Sequence, residues 1–302
     1  MQSFNRILVV LDGYEELPAG GEGLPIEVTK ALHFVSDKQE SEIFLLSCGY
    51  EKFLHDSYYS FGDEMKELRE EHCRRLEDSL ARVAGQLRDQ GYQVQSEMVW
   101  AFPRYEQIVR KSIDYSVDLI VQHTRAYAKM ARAFLTNDSW QLVRFSPKPL
   151  LLVKDRAWSR EPVILAGVDP VHSHHKPLQL DHKIISTALG IGAQLGGAVH
   201  VLHAYAEIGR PFALPDKVLK AHEHAFEELL ADFSLDAENC HLVDESPVFA
   251  LQNYEQKLGS DIIVMGALSR SRLADVLIGN TAEKVLDYLD SDVLIVKPRS
   301  IT

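Results

Sequence analysis

The segment Asp118-Leu119-Ile120-Val121 recurs as Asp261-Ile262-Ile263-Val264, and Leu151-Leu152-Val153-Lys154 recurs as Leu294-Ile295-Val296-Lys297. Both pairs are offset by 143 positions (261 − 118 and 294 − 151). A self-similarity of this length signals a duplicated domain, because solenoid units repeat at roughly 20–50 residues. The fronts of the two copies agree: Ile7-Leu8-Val9-Val10-Leu11-Asp12 and Val163-Ile164-Leu165-Ala166-Gly167-Val168-Asp169 are apolar runs closed by aspartate. A second apolar run then ends 35 residues later in each half (Ser47 − Asp12 and Ala204 − Asp169). The first, second, fourth and fifth strands are therefore expected in register between the halves. The length difference lies between the second and fourth (118 − 47 = 71 against 261 − 204 = 57).

A chain of 302 residues suits two domains that each bury a core. The expected bounds are 1–155 and 162–302, and in 154–162 Trp158, charges and Pro162 replace periodicity, as in a linker. A net charge of −12 argues against nucleic-acid or anionic-membrane partners, which demand basic surface. The three cysteines, Cys48, Cys73 and Cys240, have no CxxC spacing, and no signal-like apolar segment opens the chain. Apolar runs stay well below the roughly 20 residues of a membrane helix. The expectation is a reduced, cytoplasmic setting.

Short β-branched runs alternate with amphipathic ones in both halves. Strands are expected at 5–11, 42–48, 93–99, 118–122 and 149–153, and again at 163–168, 198–205, 239–244, 261–266 and 292–297. Helices are expected at 25–36, 64–90, 103–115 and 138–145, and at 177–195, 213–233, 247–258 and 278–290. Such alternation implies right-handed βαβ crossovers and an α/β fold of two tandem doubly wound domains, each with a five-stranded parallel sheet covered on both faces. Gly91 and Gly196-Gly197 stop helices before strands, and Pro103 and Pro247 fall in the first turn of the third helix of each half. Composition and spacing leave the strand order open. Ligands of such sheets bind at the carboxyl ends of the strands, near the switch point.

At that end of the second half the sequence reads Met265-Gly266-Ala267-Leu268-Ser269-Arg270-Ser271-Arg272, and a helix opens at Gly279-Asn280-Thr281-Ala282-Glu283. Glycines at a strand end and at a helix start let backbone N–H groups approach a phosphate, with the helix dipole favouring its charge. Asn280 as helix cap, with Glu283 closing a capping box, accounts for part of the same segment without a ligand.

The run Gly266-x2-Ser269-x9-Gly279-Asn280-Thr281 resembles the nucleotide motif of the universal stress protein family, G-x2-G-x9-G-[ST], with serine at the middle glycine and asparagine at the first hydroxyl position. The duplication and the Gly279-Glu283 segment resemble the tandem two-domain subgroup. The resemblance implies strand order 3-2-1-4-5 and a site for ATP or AMP, with Mg2+ admissible beside ATP. It places Asp169 at the adenine or ribose edge and Ala204 beside adenine, with Met265 and Gly266 flanking base and ribose. Ser269, Gly279, Asn280 and Thr281 then face the phosphates. It also implies pairing of the two halves through their last strands, 149–153 and 292–297, and leaves a homodimer of whole chains open. Without a ligand, Asp169 is a strand-end turn or cap residue before Pro170. In the first half the same offset sets His123, Ala126 and Thr136 at the motif glycines, so that copy is read as degenerate.

Other clusters have plainer readings. His172, His174, His175 and His182 crowd a polar segment beside Asp169 and Asp181 without the spacing of a metal motif, so no metal site is expected. Tyr50, Phe53, Tyr58, Tyr59 and Phe61 read as packing of a long crossover. No nucleophile elbow, HExxH or Walker motif occurs, and no catalytic residue is expected. The leading function is a cytoplasmic stress-response protein that binds an adenine nucleotide in its second half as a regulatory or adaptor module. The alternatives are a nucleotide-free scaffold and a slow ATP hydrolase.

Overall fold

The computed structural model describes residues 4–11, 23–50, 63–124, 137–171, 179–206, 215–267, 286 and 288–298. The described chain divides into two compact units at Val153 and Lys154. In the first, β1 (Arg6–Leu11), α1 (Ile26–Leu32), β2 (Glu42–Gly49), α2 (Asp63–Asp89), β3 (Gln93–Trp100), α3 (Arg104–Asp114), β4 (Leu119–His123), α4 (Asn137–Phe145) and β5 (Leu150–Val153) alternate as the periodicity implied. In the second, β6 (Val163–Val168), α5 (Leu180–Leu195), β7 (Ala198–Tyr205), α6 (Pro215–Leu230), β8 (Cys240–Asp244), α7 (Pro247–Leu258), β9 (Ile262–Gly266) and β10 (Asp292–Val296) do the same. Each unit holds five parallel strands, in the orders β3-β2-β1-β4-β5 and β8-β7-β6-β9-β10. Both are 3-2-1-4-5, the order the family resemblance implied.

Central strands such as β1, β2 and β4 carry nearly unbroken buried runs, as strands covered on both faces must. The edge strands β3 and β8 are only partly buried and accordingly mix polar with apolar residues. The helix expected at 25–36 ends at Leu32, because Phe34 and Val35 donate three residues back, to Ala31 and Leu32, and the last turn tightens. Pro247 opens α7 in its first turn, whereas Pro103 sits one position before α3 as its cap residue. Gly196 ends α5 in the left-handed region at φ 66°, and a Cβ on Gly197 would lie 2.1 Å from the Pro162 carbonyl oxygen, so only glycine fits there. The helix expected at 278–290 lies outside the described residues apart from its end, where Leu286 is helical and buried.

The repeated aspartates share one task. Asp118 donates its N–H to the Arg6 carbonyl (2.7 Å) and accepts the N–H groups of Asn5 and Arg6 on Oδ2 (both 3.1 Å). Asp261 donates to the Val163 carbonyl (2.8 Å) and accepts the Val163 N–H on Oδ2 (3.1 Å). Each locks the start of its unit's first strand to its fourth, satisfying backbone donors that no neighbouring strand reaches.

The second lock also holds the expected linker. Asp261 accepts from Ser159 N–H (3.2 Å), the Ser159 hydroxyl and the Arg156 guanidinium (3.2 Å). Asp292 accepts from Lys154 N–H (2.8 Å) and Trp158 Nε1 (2.9 Å). Residues 154–163 are therefore fastened to the second unit by two buried carboxylates.

One register differs from the sequence expectation. Leu11 pairs with Ser47, a separation of 36, while Val168 pairs with His203, a separation of 35. The equal spacing of Ser47 and Ala204 from their aspartates thus misaligns β2 with β7 by one residue. In the sheet Ser47 stands where His203 stands, and Cys48 where Ala204 stands.

Candidate functional site

The order β8-β7-β6-β9-β10 reverses its direction of growth between β6 and β9, and the switch point of the second unit lies at their carboxyl ends. Val168 pairs with His203, so Asp169 follows alongside Ala204, and Gly167 pairs with Met265, so Val168 lies alongside Gly266. The structure thus brings Asp169, Ala204, Met265 and Gly266 to one edge of the sheet. Ser269, Gly279, Asn280 and Thr281 lie outside the described residues.

Asp169 is half-buried and precedes a short 3-10 turn that begins at Pro170. Its N–H donates to Asp181 Oδ1 at 3.1 Å, from the first turn of α5, so the strand end that presents Asp169 is fixed by a buried carboxylate. Gly266 has a packing reason of its own: a Cβ there would meet Leu180 Cδ2 at 2.8 Å and Ile184 Cδ1 at 3.2 Å. The first turns of α5 press on this strand end, and any side chain at 266 would displace them. Close by, Lys183 Nζ donates to the Lys297 carbonyl (2.6 Å), and burial pulls the Lys297 ammonium down to about 8.

Behind Asp169 lies a pair of histidines that periodicity did not single out. His203, on β7, is fully buried, and its Nδ1 is 3.3 Å from the Val168 carbonyl. Its Nε2 is 2.8 Å from Nδ1 of His222, a buried residue of α6. Tyr205 stacks on His222 at 4.7 Å and Phe226 packs at 5.6 Å from His203. A second imidazole pair, His200 Nδ1 to His241 Nε2 at 3.1 Å, bridges β7 and β8. The signal was there, as His203 falls within an otherwise apolar strand, but its partner is 19 residues away on another element.

Burial holds both His203 and His241 down to about 4, from an ordinary 6.5. For His203 the carboxylates of Asp169 and Asp181 oppose the shift, and for His241 the neighbouring His200 and Lys257 reinforce it. The unfolded chain therefore takes up protons on these groups from pH 6.5 downward while the folded chain resists until about 4. Stability rises with pH across this window, and the loss on acidification has an upper slope of about 1.4 kcal/mol per pH unit for each fully buried group. His241 is partly exposed and contributes less. Urea unfolding at pH 7 and pH 5 should show this loss, and His203→Leu should reduce it.

In the first unit, β4 ends in His123, and Thr124 gives both its N–H (2.8 Å) and its hydroxyl (2.9 Å) to the Val153 carbonyl. Ala267 N–H makes the corresponding bond to Val296 in the second unit at 3.3 Å. Asp12, Ala126 and Thr136 lie outside the described residues.

Residues 164–297 match the universal stress protein family. Universal stress protein E of Photorhabdus laumondii is 27% identical over 220 residues, covering 69% of this chain and 70% of that one. The universal stress protein E homolog of Haemophilus influenzae is 23% identical over 98% of both chains. The second half thus matches the universal stress protein family, and the chain as a whole is similar to universal stress proteins of the E type. A functionally unknown protein from Pseudomonas aeruginosa PAO1 superposes with a TM-score of 0.74 at 27% identity, covering 99% of this chain and 94% of that one. The universal-stress domain matched by the family is thus the half that keeps the glycines, and the solved relative extends the likeness across both halves.

His182 pairs with Asp232 at 2.8 Å on the surface, and His172, His174 and His175 lie outside the described residues. Among the described residues no three His, Cys, Asp or Glu side chains converge as metal ligands. Tyr50 stacks with Phe102 at 4.6 Å and lies 6.0 Å from Trp100, whereas Phe53, Tyr58, Tyr59 and Phe61 lie outside the described residues. Among the described residues no helix is long and apolar enough to cross a membrane.

Proposed function

We propose that the second unit binds one adenine nucleotide, AMP or ATP, at the carboxyl ends of β6, β7 and β9, and that the chain is a nucleotide-responsive regulatory or adaptor module of a stress response. The observation that carries this reading is Asp169, anchored by Asp181 at the switch point and level with Ala204. Asp169 takes the ribose or adenine edge, Ala204 and Met265 take the base, and Gly266 lies beside the ribose. Ser269, Gly279, Asn280 and Thr281 take the phosphates on the strength of the motif, with Mg2+ accompanying ATP. The names of the matched relatives support the role in stress. Titration calorimetry with AMP and with ATP should give one site per chain. Asp169→Ala should weaken it by roughly ten- to a hundredfold, the size of a lost hydrogen bond to a charged group. Two equivalent sites per chain would contradict the assignment.

A nucleotide-free scaffold is the second reading, and the packing of Leu180 and Ile184 against Gly266 favours it, since that glycine is required without a ligand. Ser269→Gly separates the two. Under the nucleotide reading it tightens binding by up to about tenfold, relieving about 1.4 kcal/mol of backbone cost and crowding. Under the scaffold reading neither protein binds. We also propose that the halves pair through β5 and β10, each the last strand of its own unit and apolar throughout (β5) or after its first residue, Asp292 (β10), because such edges invite aggregation unless covered.

A further inference from the structure

We propose that His203 and His222 form a positioning dyad that sets the strand end carrying Asp169 and, through it, the affinity of the nucleotide site; the affinity clause rests on the function proposed above. A backbone carbonyl only accepts, so His203 carries its proton on Nδ1 and gives it to Val168, the residue before Asp169. In a neutral ring its Nε2 is then an acceptor, and His222 must donate from Nδ1 across the 2.8 Å contact. The ring centroids lie 5.0 Å apart, 2.2 Å beyond the nitrogen separation (5.0 − 2.8), which sets the two nitrogens facing each other rather than ring over ring. Both imidazoles are buried, His203 completely, so each tautomer is fixed by its neighbour and not by water.

The result is a continuous chain from α6 through His222 and His203 to the carbonyl preceding Asp169, while Asp181 holds the amide of Asp169 itself. The peptide unit between Val168 and Asp169 is thereby gripped at its oxygen by His203 and at its nitrogen by Asp181. The groups facing His203 are Val168 on β6, Asp169 at the end of that strand, Asp181 on α5 and His222 on α6. The first unit supplies a comparison: at the register position of His203 it has Ser47, buried, with a hydroxyl that has no partner among the described residues. The dyad accompanies the half that retains the motif glycines and is missing from the half that lost them.

The test uses the whole chain, AMP as probe and three variants. Nitrogen-15 spectra of the wild type should show His203 and His222 protonated on Nδ1. His203→Leu removes the grip on Val168 while keeping an apolar body, and because it leaves the Val168 carbonyl and the buried His222 Nδ1–H facing an apolar side chain, unfolding free energy at pH 7 should fall. Amide exchange at Asp169 should rise about tenfold or more, with the middle of β6 unchanged, and AMP affinity should fall about tenfold. His222→Leu, which leaves the Val168 bond in place, should cost about threefold in affinity, and His203→Asn, with an amide N–H near Nδ1, should recover most of the loss. Unchanged exchange at Asp169 in His203→Leu, or unchanged AMP affinity where the wild type binds AMP, overturns the proposal. Absence of AMP and ATP binding by the wild type refutes the proposed function and the affinity clause together, while the exchange result still decides whether the dyad positions Asp169.

Discussion

Asp261→Ala is expected to lower the stability of the second unit by about 3 kcal/mol, because it removes the buried acceptor of the Ser159 and Val163 backbone donors, the Ser159 hydroxyl and the Arg156 guanidinium at once. Asp261 is 2% exposed, so water replaces its bond to Val163 only by opening the start of β6. At roughly 2–4 °C per kcal/mol for a unit of this size, the melting temperature should fall by roughly 6–12 °C. Asp118→Ala removes the acceptor of Asn5 and Arg6 at a more exposed site and should cost about 2 kcal/mol in the first unit. Urea unfolding followed by amide exchange in each unit checks both values. A loss below about 0.5 kcal/mol for Asp261→Ala would show that the clamp is replaceable by solvent.

Gly279→Val is expected to abolish nucleotide binding, a loss of about a hundredfold or more, which corresponds to about 2.7 kcal/mol. Under the proposed function the phosphates approach backbone N–H groups at the helix start that the sequence motif implies at Gly279, and a branched side chain would fill the space they need and restrict the backbone there. The same substitution should leave the unfolding of the first unit unaltered. Calorimetric titration with AMP is the check, and retained affinity would remove the motif glycine from the site.

The duplication, the alternation of elements and their approximate limits were legible because long apolar runs at strand period and amphipathic runs at helix period are local properties. Strand order was not, and came from the family resemblance. The one-residue register difference between β2 and β7 escaped because counting from Asp12 and Asp169 assumes equal connections, whereas pairing is set by contacts between strands far apart in sequence. Asp118 and Asp261 were visible as repeat markers, yet their role as clamps depends on Arg6 and Val163, more than 90 residues away. Gly266 was read for ligand approach alone, and its contact with Leu180 of α5 emerged only from packing. The dyad needed two elements to meet in space.

The claim that the duplicated chain keeps one nucleotide site, in its second half, is tested most directly by native mass spectrometry of the whole chain titrated with AMP and with ATP. The expected result is a single added nucleotide per chain, absent from Gly279→Val and weakened in Asp169→Ala. Two nucleotides per chain, or one that persists in Gly279→Val, would contradict it.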